Sequence, residues 1–194
     1  MAYTTLMPGR GYFYTAPEGT EPPEDALNPG AAWKSVGNTP VSDIITFNSE
    51  GGEESIIPTL QNARHRVSRS DLIESLGLAL HDFTEDSYEL YYGTNNDDTT
   101  YDGWVGPNAE APAAWSGSFL AVLIDGDAHF PLYVPKAEIY RSEGISLSGT
   151  EELAALPIRV TPLSSAPGVQ PYYVKPLIDN ATGLPVGVEP PVGG

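Results

Sequence analysis

The chain has 194 residues, with 26 Asp and Glu against nine Lys and Arg, and it has no cysteine. That length is the range of one domain with or without arms, and it buries roughly 70% of the surface exposed on unfolding, so packing alone can hold it. The missing cysteines exclude disulfides, thiolate zinc sites and thiol nucleophiles, and a net charge of −17 argues against tight nucleic-acid binding, which rests on neutralising phosphates.

The opening "MAYTTLMPGRGYFYT" lacks the basic start and apolar centre of a secretory leader. The longest apolar run, residues 119–124, is far too short for a membrane span. The expectation is a soluble protein made in a cytoplasm. Glycines and prolines number 20 and 19 and are scattered, which suggests many strands separated by punctuated loops. "PEGTEPPEDALNPGAAW", residues 17–33, reads as an arm ordered on contact. A strand signal follows over residues 42–47, and "EGGEE" at 50–54 marks a turn. "SIIPTLQNARHRVSRS" has no helical spacing and carries Pro58, so it reads as extended chain with an edge position near the proline.

In "ESLGLALHDF", Leu76, Leu78 and Leu80 alternate with Ser75, Gly77, Ala79 and His81, the pattern of a strand with one buried face. The period then changes. Thr84 as N-cap, Glu85 and Asp86 in the first turn and Gly93 just past the end predict one short helix between Thr84 and Gly93. Tyr88, Tyr91 and Tyr92 give that helix a packed face. Residues 95–115 read as a long polar loop. "FLAVLIDGDAHFPLYVPKAEIYR", residues 119–141, predicts a long hairpin turning at Asp125–Asp127, and further strand signals lie at 144–147, 157–163 and 172–178. From Asn180 the tail offers few core residues and is expected to be mobile unless a neighbour holds it. The sum is a mainly β chain with one short helix.

Tests for chemistry fail in turn. His65, His81 and His129 lie in separate segments without ligand spacing. A calcium loop with Gly103 at its sixth position places Asp98, Thr100 and Asp102 at one, three and five, but Ala109 stands where a bidentate Glu is required. "GISLSG" lacks a nucleophile elbow, so Ser146 and Ser148 read as strand or turn hydroxyls. There is no Walker sequence and no dinucleotide fingerprint, and no catalytic, metal or cofactor-binding residue is assigned. What remains is architecture. A hairpin longer than its core leaves unpaired edges, and a closed ring of identical copies removes them, so the far end of the hairpin is expected to pair with another copy.

Several segments together carry a family resemblance: "GRGYFYTAPEGTEPP", "WKSVGNTPVSDIITFNSEGGEE", "TLQNARHRVSRS", "SLGLALHDFTEDSYELYYG", "FPLYVPKAEIYRSEGISL" and "LPIRVTPL", in order from Gly9 to Leu163. On these the chain resembles the major tail tube proteins of long-tailed bacteriophages, especially those of actinobacterial hosts. The resemblance implies a β-sandwich or barrel-like subunit with a helix on its flank and no catalytic site. It implies six copies in a ring, rings stacked into a hollow tube, and inner strands joined into one barrel around the lumen. The implied partners are further copies of the chain, a tape measure protein inside the tube, terminator and tip proteins at its ends, and double-stranded DNA passing through without tight binding. The implied location is the virion tail.

On this reading residues 1–179 form a single domain with an arm over 15–40 and a long loop over 94–116, followed by a Pro/Gly-rich tail over 180–194. Glu74, Asp125, Asp127 and Glu138 are candidate lumen acids, because they flank or lie on the proposed barrel strands; ordinary solvent exposure explains them equally well. The candidate inter-subunit strands carry Leu76, Leu78, Leu80, Phe119, Val122, Leu123, Leu132, Val134 and Ile139. Candidate ring-stacking contacts are Tyr12, Tyr14, Trp33, Trp104 and Trp115. Proline at Leu123 is expected to leave the subunit folded but unable to assemble. Two alternatives stand beside this reading: a β-sandwich carbohydrate-binding module with Trp104, Trp115 and the tyrosines as platforms, and a ring-forming tube protein of a contractile secretion system.

Overall fold

Runs of alternating apolar residues build most of the regular structure. The computed structural model describes residues 5–41, 44–94, 113–145, 147 and 153–188. In chain order the elements are β1 (Arg10–Ala16), β2 (Lys34–Ser35), β3 (Thr46–Gly51), β4 (Glu54–Ile57), β5 (Arg66–Arg69), β6 (Leu72–Leu80), α1 (Glu85–Tyr92), β7 (Trp115–Asp125), β8 (Ala128–Arg141), β9 (Leu156–Pro162), β10 (Tyr173–Val174) and β11 (Ile178–Asp179). One antiparallel sheet runs β2-β1-β7-β8-β9-β6-β3, with β10 and β11 also on β8, while β4 and β5 pair apart from it.

The hairpin β7–β8 is the spine. Its register runs from Asp125 opposite Ala128 to Trp115 opposite Ile139, with an irregularity between Gly117 and Phe119. Gly126, at φ 55°, opens the two-residue turn, a conformation that glycine adopts without steric cost. Contrary to the sequence expectation, the hairpin has no free flank at its far end. β1 pairs along β7 from Arg10–Ile124 to Ala16–Ser118. β10 and β11 take the first half of β8, and β9 takes the second. The strand β1 was invisible as such, because Gly9, Gly11 and the proline-rich stretch after Ala16 masked a short alternation centred on buried Phe13.

Side chains alternate between the faces of a strand, so the register assigns each residue to a face. One face carries Phe13, Phe119, Ala121, Leu123, Leu132 and Val134 from one half of the sheet. From the other half it carries Ile139, Val160, Ile158, Leu156, Leu76, Leu78 and Leu80, and all of these join one core with Leu90 and Tyr91 of α1. Each fully buried Leu, Ile or Phe there contributes about 1.5–3 kcal/mol. The opposite face is covered at β7, where Trp33, Ala26 and Ala16 lie over Leu120 and Val122. The fold is thus mainly β and sandwich-like, the two halves of the sheet sharing one core, with a single helix on its flank against β8 and β9.

The helix follows its signals. Thr84 Oγ1 accepts the Ser87 amide at 3.3 Å, and the Gly93 amide donates to Glu89 O at 2.9 Å. Thr84→Ala should lower stability by about 1 kcal/mol, read as a modest drop in thermal midpoint without loss of cooperativity.

Two sequence expectations shift and two need correction. The strand expected over 42–47 begins at Thr46 and continues to Gly51, and the one expected over 172–178 divides into β10 and β11. Residues 144, 145 and 147 lie outside any strand, and Ser146 and Ser148 lie outside the described residues. The tail is held by its own chain through residue 188. Asp179 Oδ1 accepts the Ala181 and Thr182 amides at 2.9 Å, Asp179 N donates to Leu184 O at 2.9 Å, and Val186 N donates to Leu177 O at 2.8 Å. A carboxylate closing a turn onto its own backbone needs no neighbour to order it.

Asp82 plays a similar part at the other end of the core. Its carboxylate accepts from the side chain and backbone of Asn38, at 3.0 and 2.8 Å, and these bonds hold it below the ordinary aspartate range. A depressed folded-state pKa gives stability that is present above the unfolded value of 3.8 and is lost as pH falls through the folded value. The thermal midpoint of the unaltered chain should therefore exceed that of Asp82→Asn by a constant margin at neutral pH, and the two should converge below about pH 4.

Candidate assembly surface

Beyond the covered region over β7, the second sheet face is open and polar. Tyr140, Arg159, Gly77 and Thr46 stand in one cross-strand row over β8, β9, β6 and β3. The pairs Glu138–Thr161 and Asn48–Ser75 lie one step along on the same face. Among the described residues the sheet ends at β3, which pairs with β6 on one side only and is exposed at all six residues. Phe47, Leu72 and Ile73 at this end are 49%, 58% and 61% exposed. An edge strand that long, with large apolar side chains beside it, is a template for another chain unless something covers it.

From the root at Gly51 the chain leaves the sheet. A β-carbon on Gly51, whose φ is 88°, would fall on the Asp71 carbonyl, so glycine is required where the two strands part. β4 and β5 then pair with each other, from Glu54–Arg69 to Ile57–Arg66, and every residue from 51 to 73 is exposed. This projecting arm carries Ile56, Ile57, Leu60 and Val67, with Leu60 fully exposed.

The expected site residues distribute unevenly over these surfaces. Glu138 is exposed on the open face. Glu74 shares the parity of Leu76, Leu78 and Leu80 and lies on the opposite face, where Tyr172 Oη donates to it at 2.8 Å. That bond also raises the Tyr172 pKa above its ordinary value, as its largest cause. Asp125 and Asp127 flank Gly126 at the hairpin turn, and Asp125 Oδ2 accepts the Met7 amide at 2.7 Å. The sequence grouped these four acids, and the register separates them.

Leu76, Leu78, Leu80, Phe119, Leu123, Leu132, Val134 and Ile139 are all buried in the main core, and Val122 is buried in the cluster on the other face. Of the aromatic contacts, Tyr12 is 44% exposed, Tyr14 packs on the second cluster and Trp115 packs on the main core. Trp33 is buried, with its ring edge-on to Tyr133 at 6.2 Å, so its side chain fills the subunit interior. Trp104 lies outside the described residues, as does the tested calcium loop. The edge β3 and the arm are what sequence reasoning missed. The one signal was Pro58, which marked an edge without saying which sheet it bordered.

Among the described residues no three His, Cys, Asp or Glu are grouped to hold a metal, and no helix is long and apolar enough to cross a membrane. The surface features concern association. Comparison with known proteins agrees. Residues 2–175 match the family model described as phage tail tube protein. The chain is 30% identical over 190 residues to the major tail protein Gp23 of Mycobacterium phage L5, covering 91% of this chain and 93% of that relative. It is 32% identical over 164 residues to the major tail protein Gp23 of Mycobacterium phage D29, covering 78% and 80%. A match that spans the sheet from β1 to β10 leaves no part of the core unaccounted for, and the chain belongs to the phage tail tube protein family, a structural protein of the phage tail.

Proposed function

We propose that copies of this chain close side by side into rings of six, and that the rings stack into the hollow tube through which phage DNA leaves the virion. The observation that carries the reading is the free edge β3 with half-exposed Phe47, Leu72 and Ile73 beside it, in a chain of the tail tube family. Pairing that edge with the next copy satisfies its backbone groups and covers its apolar side chains, and ring closure leaves no edge free.

The open polar face lines the lumen on this reading. Glu138, Glu50, Thr161 and Asn48 present two acids, a hydroxyl and an amide, with Arg159 and Ile73 exposed on the same face. DNA carries one charge per about 1.7 Å of axis, so a face on which the acids Glu138 and Glu50 outnumber the one base Arg159, repeated by every copy, favours sliding over binding. Glu74 is left out of the lining because it belongs to the other face; Asp125 and Asp127 sit at the end of the hairpin, at the rim. A tape measure protein within the tube, and terminator and tip proteins at its ends, complete the assembly in the host cytoplasm. Glu138→Lys tests the lining: tubes should form normally while DNA ejection slows severalfold. Ejection at the unaltered rate would take Glu138 out of the lumen.

A further inference from the structure

Residues 54–69 are unusual in a chain of charge −17. They hold three of its nine Lys and Arg, and two of these, Arg64 and Arg66, flank His65 at the far end of the arm. Arg69 is paired with Glu54 through Nε at 2.9 Å, whereas neither Arg64 nor Arg66 has an ion pair among the described residues. The same arm exposes Ile56, Ile57, Leu60 and Val67. An exposed two-stranded ribbon is marginal by itself, and one with cations at the tip and apolar flanks is shaped for a surface that is acidic at one point and apolar beside it.

The body of the subunit has such a surface. A groove of about 690 Å³ runs between α1 and residues 31–37. Its floor includes Val36, Leu90 and Trp115, and its rim carries Asp82, Asp86 and Glu89. Among the described residues the one cation on that rim, Lys34, stands 3.9 Å from Asp86 with both side chains mostly exposed, so the pair is weak and open to exchange.

We infer that the β4–β5 arm of one copy docks into the α1 groove of a second copy, with Arg64 and Arg66 meeting Asp86 and Glu89 and the apolar flanks of the arm covering the groove floor. Two bodies of charge −17 repel, so a contact between them needs a place where opposite charges meet, and the arm is where this chain concentrates free cations. DNA would attract the same arginines, but a phosphate backbone offers nothing to Ile56, Ile57, Leu60 and Val67. A second copy supplies both. The inference rests on the assembly reading above and adds to it a specific pair of surfaces.

Because the chain has no cysteine, Arg66→Cys and Glu89→Cys each introduce a single thiol. Assemblies formed from a mixture of the two variants should give covalent dimers with a short bismaleimide, and assemblies of either variant alone should not. Arg64→Glu with Arg66→Glu should cut the assembled fraction about tenfold, and adding Asp86→Lys with Glu89→Lys should restore it. Failure of the unaltered chain to self-associate would overturn the assembly reading, and this inference with it. Normal assembly of the reversed chain, without mixed cross-links, would overturn the inference alone. Normal assembly with slowed ejection would place the arginines against DNA and overturn it as well.

Discussion

Leu123→Pro is expected to unfold the subunit. Leu123 sits in β7, with Gly11 of β1 across from it on one side and Phe130 of β8 on the other, and its side chain is buried in the main core. Proline there removes a ladder hydrogen bond from a central strand and puts its ring where the neighbouring backbone lies, at about 3 kcal/mol or more, and the lost leucine leaves a cavity worth about 2–5 kcal/mol. Against a total stability of roughly 5–15 kcal/mol, that is enough to abolish the cooperative transition. Circular dichroism and thermal melting of the purified variant decide the matter. The sequence alone suggested a folded but unassembled subunit, since it placed β7 at an inter-subunit edge; a native-like melt would return it there.

Phe47→Lys should have the opposite profile. Phe47 lies on the free strand β3, opposite Leu76, and is already 49% exposed, so its loss costs only about 1 kcal/mol and lowers the thermal midpoint by about 2–4 °C. Lysine on an edge strand is a natural device against strand pairing between molecules. The variant should therefore stay folded while rings and tubes disappear, as read by sedimentation. Tubes of normal yield from Phe47→Lys would show that β3 is not a joining edge.

These two variants mark what the sequence made legible. Local signals were sound: Thr84 and Gly93 bounded the helix, "DGD" placed the hairpin turn, and Leu76, Leu78 and Leu80 gave one face of β6. Face assignment was also within reach, because Glu74 has the parity of those leucines and Glu138 lies between buried Ala137 and Ile139. What was hidden is non-local. Neither the pairing of β1 along β7 from Ser118 to Ile124, nor the docking of β10 and β11 onto β8, leaves a mark in the strand that receives it. The hairpin therefore looked like an unpaired edge, and the true edge, β3, looked like one more strand near a turn. Trp33 shows the same effect in one residue: the proline-rich segment around it reads as a contact arm, yet its ring closes over Leu120 and Val122 of the same chain.

The most direct test of the account is negative-stain electron microscopy of the purified chain, concentrated alone and seeded with tail initiation components. Sixfold rings or hollow tubes are expected from the unaltered chain and should be absent in Phe47→Lys under the same conditions. Single subunits throughout, with the sheet and arm folded as described, would contradict it.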